Sequence, residues 1–380
     1  MDPQTVQRNL AAIADGFAKD RRARQQRRNL DKADFDALAD AGYLLTGVPA
    51  SLGGLWVDLQ TSTRPICEFL RTLAHGDPSV ALVSAMHPAV IVYWLLQDGP
   101  EVDEQKRWVA QTALDGHWWG TITSEPGSGG DIMRSRAIAR KAAGGGYTLS
   151  GQKHFGSGSG ITSFMVTMAV PEGEAGVHPF FLDVRGVPWD GSTGMKLVAE
   201  WDGHGMIATQ SHAFDFTDFP LTRSHRTPAQ GAGFGAAATL IAPLFAAVVV
   251  GVVQAAVAAA RTQVTRRKDD LRPYEAVEWA RIEQDAWLID QAYEGLLRAI
   301  ETRGADSLLE GLQAKTAIAE LAESLTGRIC RVIGGGSFNR SSHFGAAFED
   351  VRALGFLRPP WGLAYDQMLT ELWKRAESPS

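Results

Sequence analysis

Apolar positions recur every three or four residues through roughly the first 115 residues, then alternate with polar ones, then return to the three-and-four spacing. The first pattern predicts helices over 35-FDALADAGYLLTGVPASLGG-54, 61-TSTRPICEFLRTLAHG-76, 79-SVALVSAMHPAVIVYWLL-96 and 101-EVDEQKRWVAQTALDG-116, with Asp77-Pro78 as a turn. Between Trp118 and Arg226 come short β-rich runs: GTITSE, RSRAIARKA, GYTLSGQKHFG, SFMVTMAV, HPFFLDV, MKLVAEW and SHAFDFTDF. The triplet 144-GGG-146 signals a hairpin. Strands at this spacing, not alternating with helices, predict a small antiparallel barrel or sandwich and argue against a doubly wound parallel sheet. From about Gly231 the pattern is helical again, through 238-ATLIAPLFAAVVVGVVQAAVAAA-260, 274-YEAVEWARIEQDAWLIDQAYEGLLRAIE-301 and 306-DSLLEGLQAKTAIAELAESLTGRICRVIGG-335. Three long helices and a short one predict a four-helix bundle. The expected class is α+β, mostly α: an N-terminal helical domain over 1–116, a middle β domain over 117–226 and a C-terminal bundle over 227–380.

Composition changes this picture at few points. No charged residue occurs from Thr227 to Ala260, a run long enough to cross a bilayer. Its small residues, Pro243 and Gln254, and the lack of a second such run, instead predict the buried centre of a bundle and no membrane. Hydrophobic residues at 45% and charged ones at 21% are globular values, and a net charge of −6 gives no long-range attraction for nucleic acid. The basic stretch 20-DRRARQQRRN-29 interleaves no aromatic residue for base stacking and reads as a solvated helix face. Cys67 and Cys330 lie far apart with no metal-type spacing, so reduced thiols, no metal and a cytoplasmic location are expected; no charged-then-apolar leader opens the chain.

Two glycine-rich stretches carry candidate chemistry. The string 231-GAGFGA-236 fits G-x-G-x-x-A and precedes a helix, but it follows 226-RTPAQ-230, which is no strand. The loop 128-SGGD-131 lacks the Lys-Ser/Thr of a phosphate-gripping P-loop. Its surroundings, 124-SEPGSGGD-131, resemble the T-E-P-x-A-G-S-D motif of the acyl-CoA dehydrogenase family. In order along the chain, 41-AGYLLTGVPASLGGL-55, 147-YTLSGQKHFGSGS-159, 231-GAGFGAAA-238 and 334-GGG-336 are similar to further motifs of that family, covering roughly residues 30 to 360. The resemblance implies a helical domain, a β-domain and a four-helix bundle with flavin bound between them, and a homotetramer or homodimer built through the bundle.

By the same resemblance Thr121, Thr123 and Ser124 would supply hydrogen bonds to the flavin edge. Phe155 would cover the ring in place of the family's tryptophan, and Ser157 would stand for the threonine near N5. Gly130, Arg266, Gly334 and Gly335 would serve the rest of the cofactor, FAD in the family. Gly130 stands where the motif has serine, and Asp269-Asp270 stand where R-x-x-F-G has Phe-Gly, which leaves FMN open.

The reaction is the open point. The family's usual glutamate, which takes the substrate α-proton, would fall at Arg358 in 348-FEDVRALGFLRPPWG-362, and a guanidinium stays protonated. The alternative base position on the first bundle helix, 240-LIAPLFAAVVVG-251, holds no acid. The superfamily's flavin-dependent monooxygenases, those resembling dibenzothiophene monooxygenase, need no such base; they use reduced flavin from a partner reductase, and dioxygen. They carry a helix histidine and a Ser-Gly after the aromatic position, here His87 and Ser157-Gly158; their C-terminal histidine would fall near Arg358. Three readings stand: a two-component monooxygenase acting on a small molecule, with His87, Ser157 and Arg358 as candidate catalytic residues; a thioester dehydrogenase that hands electrons to an electron-transfer flavoprotein; or a flavin- or acyl-binding protein that has lost turnover. The second would use Glu200, Asp202 or His204 as a substitute base. Trp201, with His87, is a candidate pocket wall.

Overall fold

The computed structural model describes residues 1–226 and 232–377. The helices before the sheet are α1 (Pro3–Lys19), α2 (Arg21–Arg24), α3 (Lys32–Asp40), α4 (Leu59–Gly76), α5 (Pro78–Leu95) and α6 (Pro100–Leu114). Local chemistry sets several starts. Asp58 accepts from Thr61 N at 2.7 Å to cap α4. Asp77 accepts from Val80 N at 3.0 Å to cap α5, whose first residue is Pro78.

The middle of the chain forms β1 (Trp119–Thr121), β2 (Ile138–Lys141), β3 (Tyr147–Gly156), β4 (Phe164–Pro171), β5 (His178–Asp183), β6 (Met195–Ala199) and β7 (His212–Arg223). The 144-GGG-146 triplet joins β2 to β3 with Lys141 opposite Tyr147, as a hairpin. Strands β4, β2, β3, β7 and β5 close into a ring because β5 pairs back to β4. The pairing is not purely antiparallel as expected: β4 runs parallel to both β1 and β2. Inside the ring sit Ile122, Leu149, Met165, Phe180, Leu182, Phe214 and Phe216, all buried.

The chain ends in α7 (Ala232–Arg266), α8 (Pro273–Arg303), α9 (Leu308–Ile333), α10 (His343–Val351), α11 (Ala353–Phe356) and α12 (Trp361–Glu377). Gly231, the first residue of the expected helix opening, lies outside the described residues. Helix α7 packs against α4, α5, α8 and α9 at once, which explains why it is apolar all round. Its Gly251 permits the closest approach: a Cβ there would meet Arg71 O at 2.3 Å. Both α5 and α7 are long and apolar enough to cross a membrane, one more than the sequence suggested, and each has a window 83% buried within the fold. The two helical regions share one continuous core, so α7 belongs as much to the N-terminal helices as to the bundle. A separate cluster, Val90, Ile91 and Trp94 of α5 with Trp119, Phe164, Val166 and Phe181, glues α5 to the barrel. That seam brings α5, the end of β1 and the C-terminal helices to one place.

Candidate active site

The turn after β1 is held from below by a buried ion pair. Lys153 Nζ, on β3, donates to Glu125 Oε1 at 2.5 Å and to Met168 O at 2.6 Å. Glu125 also accepts from Arg136 N at 2.7 Å and from the Ser135 hydroxyl at 2.5 Å. Burial pushes the Glu125 carboxyl up, but Lys153 and these donors outweigh it and hold the carboxyl below its ordinary value. The Glu of S-E-P-G and the Lys of G-Q-K, 28 residues apart in sequence, are therefore one structural unit.

Above this unit the turn meets Arg358. Its guanidinium donates to Thr123 Oγ1 at 2.6 Å, Ser124 Oγ at 3.0 Å and Gly130 O at 2.8 Å. Lys315 of α9 fixes the segment that carries it, donating to Leu357 O at 3.0 Å and Pro359 O at 2.7 Å. Both hydroxyls accept from the arginine and so keep their own protons for another acceptor. Gly130 has φ +83, and a Cβ on it would lie 2.9 Å from Pro360 Cγ. The missing motif serine and the arginine-proline-proline segment are therefore one linked change: a serine at 130 would collide with the residues that follow Arg358.

An aromatic shelf stands beside these hydroxyls. Ser124 bridges His154, and the next residue, Phe155, takes φ +58 with its side chain 56% exposed. A non-glycine residue in the left-handed region with an exposed ring is costly twice over. Trp201 packs edge-on to Phe155 with ring centres 6.1 Å apart and donates to Met206 O at 3.0 Å. Ser157 begins a one-way chain of hydroxyls. Thr209 donates to Met206 O at 2.9 Å, so Ser211 must donate to Thr209 at 2.8 Å, and Ser157 to Ser211 at 2.8 Å. Ser157 Oγ is left as an acceptor only.

His87 does not join this group. Its Nε2 donates to Leu44 O at 3.1 Å and its Nδ1 accepts from Trp119 N at 3.3 Å. Burial pushes its pKa down to about 4, with the Leu44 hydrogen bond opposing, so the ring is neutral and both nitrogens are committed to backbone. The structure thus makes His87 a strut between the segment before α4 and β1, and it does not line the cavity described next.

That cavity, of about 80 Å³, is lined by Met86, Val90 and Tyr93 of α5, Thr121 and Thr123, Ile241 and Phe245 of α7, and two arginines, Arg226 and Arg358. Among the described residues lining it there is no carboxylate and no histidine. Sequence reasoning missed Arg226 and Tyr93; the signal was an arginine closing the β segment just before a long uncharged run. Trp201, expected as a pocket wall, lies outside it, and so do the substitute bases. Glu200 and His204 are exposed, and Asp202 pairs with Arg28 at 3.2 Å. Asp202 and His204 face a different cleft of about 940 Å³, between the α2 region and α10, which holds none of the expected flavin residues. Arg266, Gly334 and Gly335 stand at the far ends of α7 and α9, tied together by Arg267 donating to Val332 O. They do not meet the β1 turn in this chain; exposed Asp269 and Asp270 follow them.

The ring end fits a flavin: an exposed aromatic face, two hydroxyls with protons to give, and one acceptor-only serine. No family model matches the chain. It is 28% identical over 204 residues to the probable FMNH2-dependent monooxygenase SfnC of Pseudomonas putida, covering 54% of this chain and 47% of that protein. It is 31% identical over 185 residues to the dibenzothiophene monooxygenase of Mycolicibacterium goodii, covering 47% and 41%. The match thus spans about half the length of either relative. Among solved structures, KijD3 in complex with FMN and a dTDP-linked amino sugar superposes with a TM-score of 0.82 at 22% identity, over 99% of this chain and 94% of that one. Butyryl-CoA dehydrogenase from Megasphaera elsdenii superposes with a TM-score of 0.80 at 17% identity, over 97% and 98%.

Proposed function

We propose that this chain, which belongs to the acyl-CoA dehydrogenase superfamily, is a flavin-dependent monooxygenase that works with reduced FMN from a separate reductase. Reduced FMN would supply the two electrons that let one atom of dioxygen enter a small-molecule substrate while the other leaves as water. The observation that carries the reading is Arg358. By the sequence resemblance it stands at the family's α-proton base; it donates to Thr123, Ser124 and Gly130 O and lines a cavity with no carboxylate or histidine among its described lining residues.

The chain's own groups have clear parts in this reading. Thr123 and Ser124 would donate to the acceptor edge of the ring, and Phe155 would cover its face. Ser157, an acceptor only, suits the N–H that a flavin carries at N5 in its reduced form; the oxidised ring has a lone pair there and needs a donor. Arg358, donating to Ser124 Oγ, would hold that hydroxyl toward the ring edge. The apolar walls from α5 and α7 exclude water. FMN is proposed over FAD because the exposed carboxylates of Asp269 and Asp270, next to Arg266, disfavour a pyrophosphate there. Two or four copies meeting through the C-terminal helices belong to the same proposal.

The test supplies a flavin reductase, FMN and labelled dioxygen to the purified protein with a panel of organosulfur, amine and aromatic compounds. Label entering at least one compound, dependent on the protein, is the expected result. Uncoupled flavin oxidation with every compound, unchanged by the protein, would count against the reading. A dehydrogenase remains the second reading, favoured only by the well-kept middle-domain motif.

A further inference from the structure

The cavity beside the β1 turn holds an unusual charge arrangement. Arg226 is 6% exposed, and its Nε has no hydrogen-bond partner. Its guanidinium lies over Tyr93 at 4.2 Å and over Trp94 at 5.0 Å, and its polar contact to Val90 O is long, at 3.4 Å. Arg358 lines the same cavity and is bonded only to neutral oxygens. Among the described residues no carboxylate comes within ion-pair distance of either, Asp131 acting on Arg358 only from farther away, whereas most other buried or half-buried arginines here, such as Arg24 and Arg64, are paired. Burial lowers both pKa values to about 10, so both stay charged at neutral pH.

Two unpaired cations in one small apolar cavity repel each other and lose hydration. A buried charge of this kind is ordinarily neutralised by a partner. No negative partner occurs among the described lining residues, which otherwise supply only Thr121, Thr123 and Tyr93 as polar groups. We infer that the partner is the substrate: the cavity takes the carboxylate of a small organic acid, gripped by Arg226 and Arg358, with its carbon skeleton on Met86, Val90, Ile241 and Phe245. The inference rests on the proposed oxygenase reading in taking this cavity as the substrate site. A planar carboxylate matches guanidinium forks, and the volume of about 80 Å³ admits the acid head and a few carbons.

Binding can be measured without turnover. The FMN-loaded protein is titrated calorimetrically with butyrate, with butyramide as the neutral isostere, and with inorganic phosphate. Butyrate is expected to bind at least tenfold more tightly than butyramide, and to do so with FMN in place. In Arg226→Gln the preference for butyrate should fall at least tenfold while FMN affinity holds, and Arg226→Lys should restore part of it. Equal binding of butyrate and butyramide by the unaltered protein overturns the inference, even if the variants do not fold. So does competition of butyrate or phosphate with FMN, which would mean that the arginines hold the cofactor's phosphate. Because no step of oxygenation enters these titrations, tight butyrate binding without any oxygenated product would defeat the oxygenase reading alone.

Discussion

Gly130 and Arg358 show how single residues carry the departure from the family pattern. Read in sequence they are two unrelated losses, a hydroxyl and a base, more than two hundred residues apart. In the fold they touch, and each makes room for the other. Gly130→Ser is expected to destabilise the protein by roughly 1–3 kcal/mol, through the left-handed backbone and the contact with Pro360, measured by urea unfolding. Adding Pro360→Ala should recover part of the loss. Lys153→Met would strand Glu125 in the core, at a cost of about 3–5 kcal/mol by the same measurement. His87→Gln should lower stability yet leave the pH profile of turnover unmoved; a lost limb in that profile would restore it as an acid–base group. The neighbourhood of Thr123 and Ser124 was legible because a motif fixes their register along the chain. The commitment of both His87 nitrogens was not, since Leu44 O and Trp119 N reach it from other segments.

At the scale of elements, the sequence patterns located the seven strands and the helices α4 to α9, because period two and period 3.6 are local signals, but not the 17-residue helices α1 and α12. The closure of the barrel and the parallel pairings of β4 were not legible, since strand partners are non-local. Nor was the sharing of α7 between two helical regions, although its uncharged length signalled burial. Element α10 adds a pH-dependent tie. Asp350 accepts from Met206 N at 2.6 Å, anchoring α10 to the segment between β6 and β7. Burial pushes its carboxyl up to about 7, the Met206 N–H opposes, and Asp77 and Glu349 add to the rise. A carboxyl raised on folding gives stability that is fully present below about pH 4 and lost as pH rises through 7. Asp350→Asn should therefore flatten the pH dependence of unfolding free energy between about pH 4 and 7, followed by chemical denaturation at several pH values.

For the whole molecule, the fold is shared with an FMN-bound structure and with a butyryl-CoA dehydrogenase, and the proposed reaction rests on what fills the space beside the β1 turn. Here that space has an arginine where proton abstraction needs a carboxylate, apolar walls, and no second base among the described lining residues. The expectation of a flavin could be formed from the sequence because the turn and β3 motifs are contiguous. The sequence set Arg358 at the expected base position but left the reaction open, because its meeting with Arg226 in one cavity is made only by the fold. The most direct test mixes the oxidised, flavin-loaded protein with a panel of acyl-CoA thioesters in the absence of oxygen and follows the visible absorbance of the flavin. The absorbance should persist with every thioester. Prompt bleaching, with enoyl-CoA formed in proportion to the flavin, would contradict the central claim and make the chain a dehydrogenase.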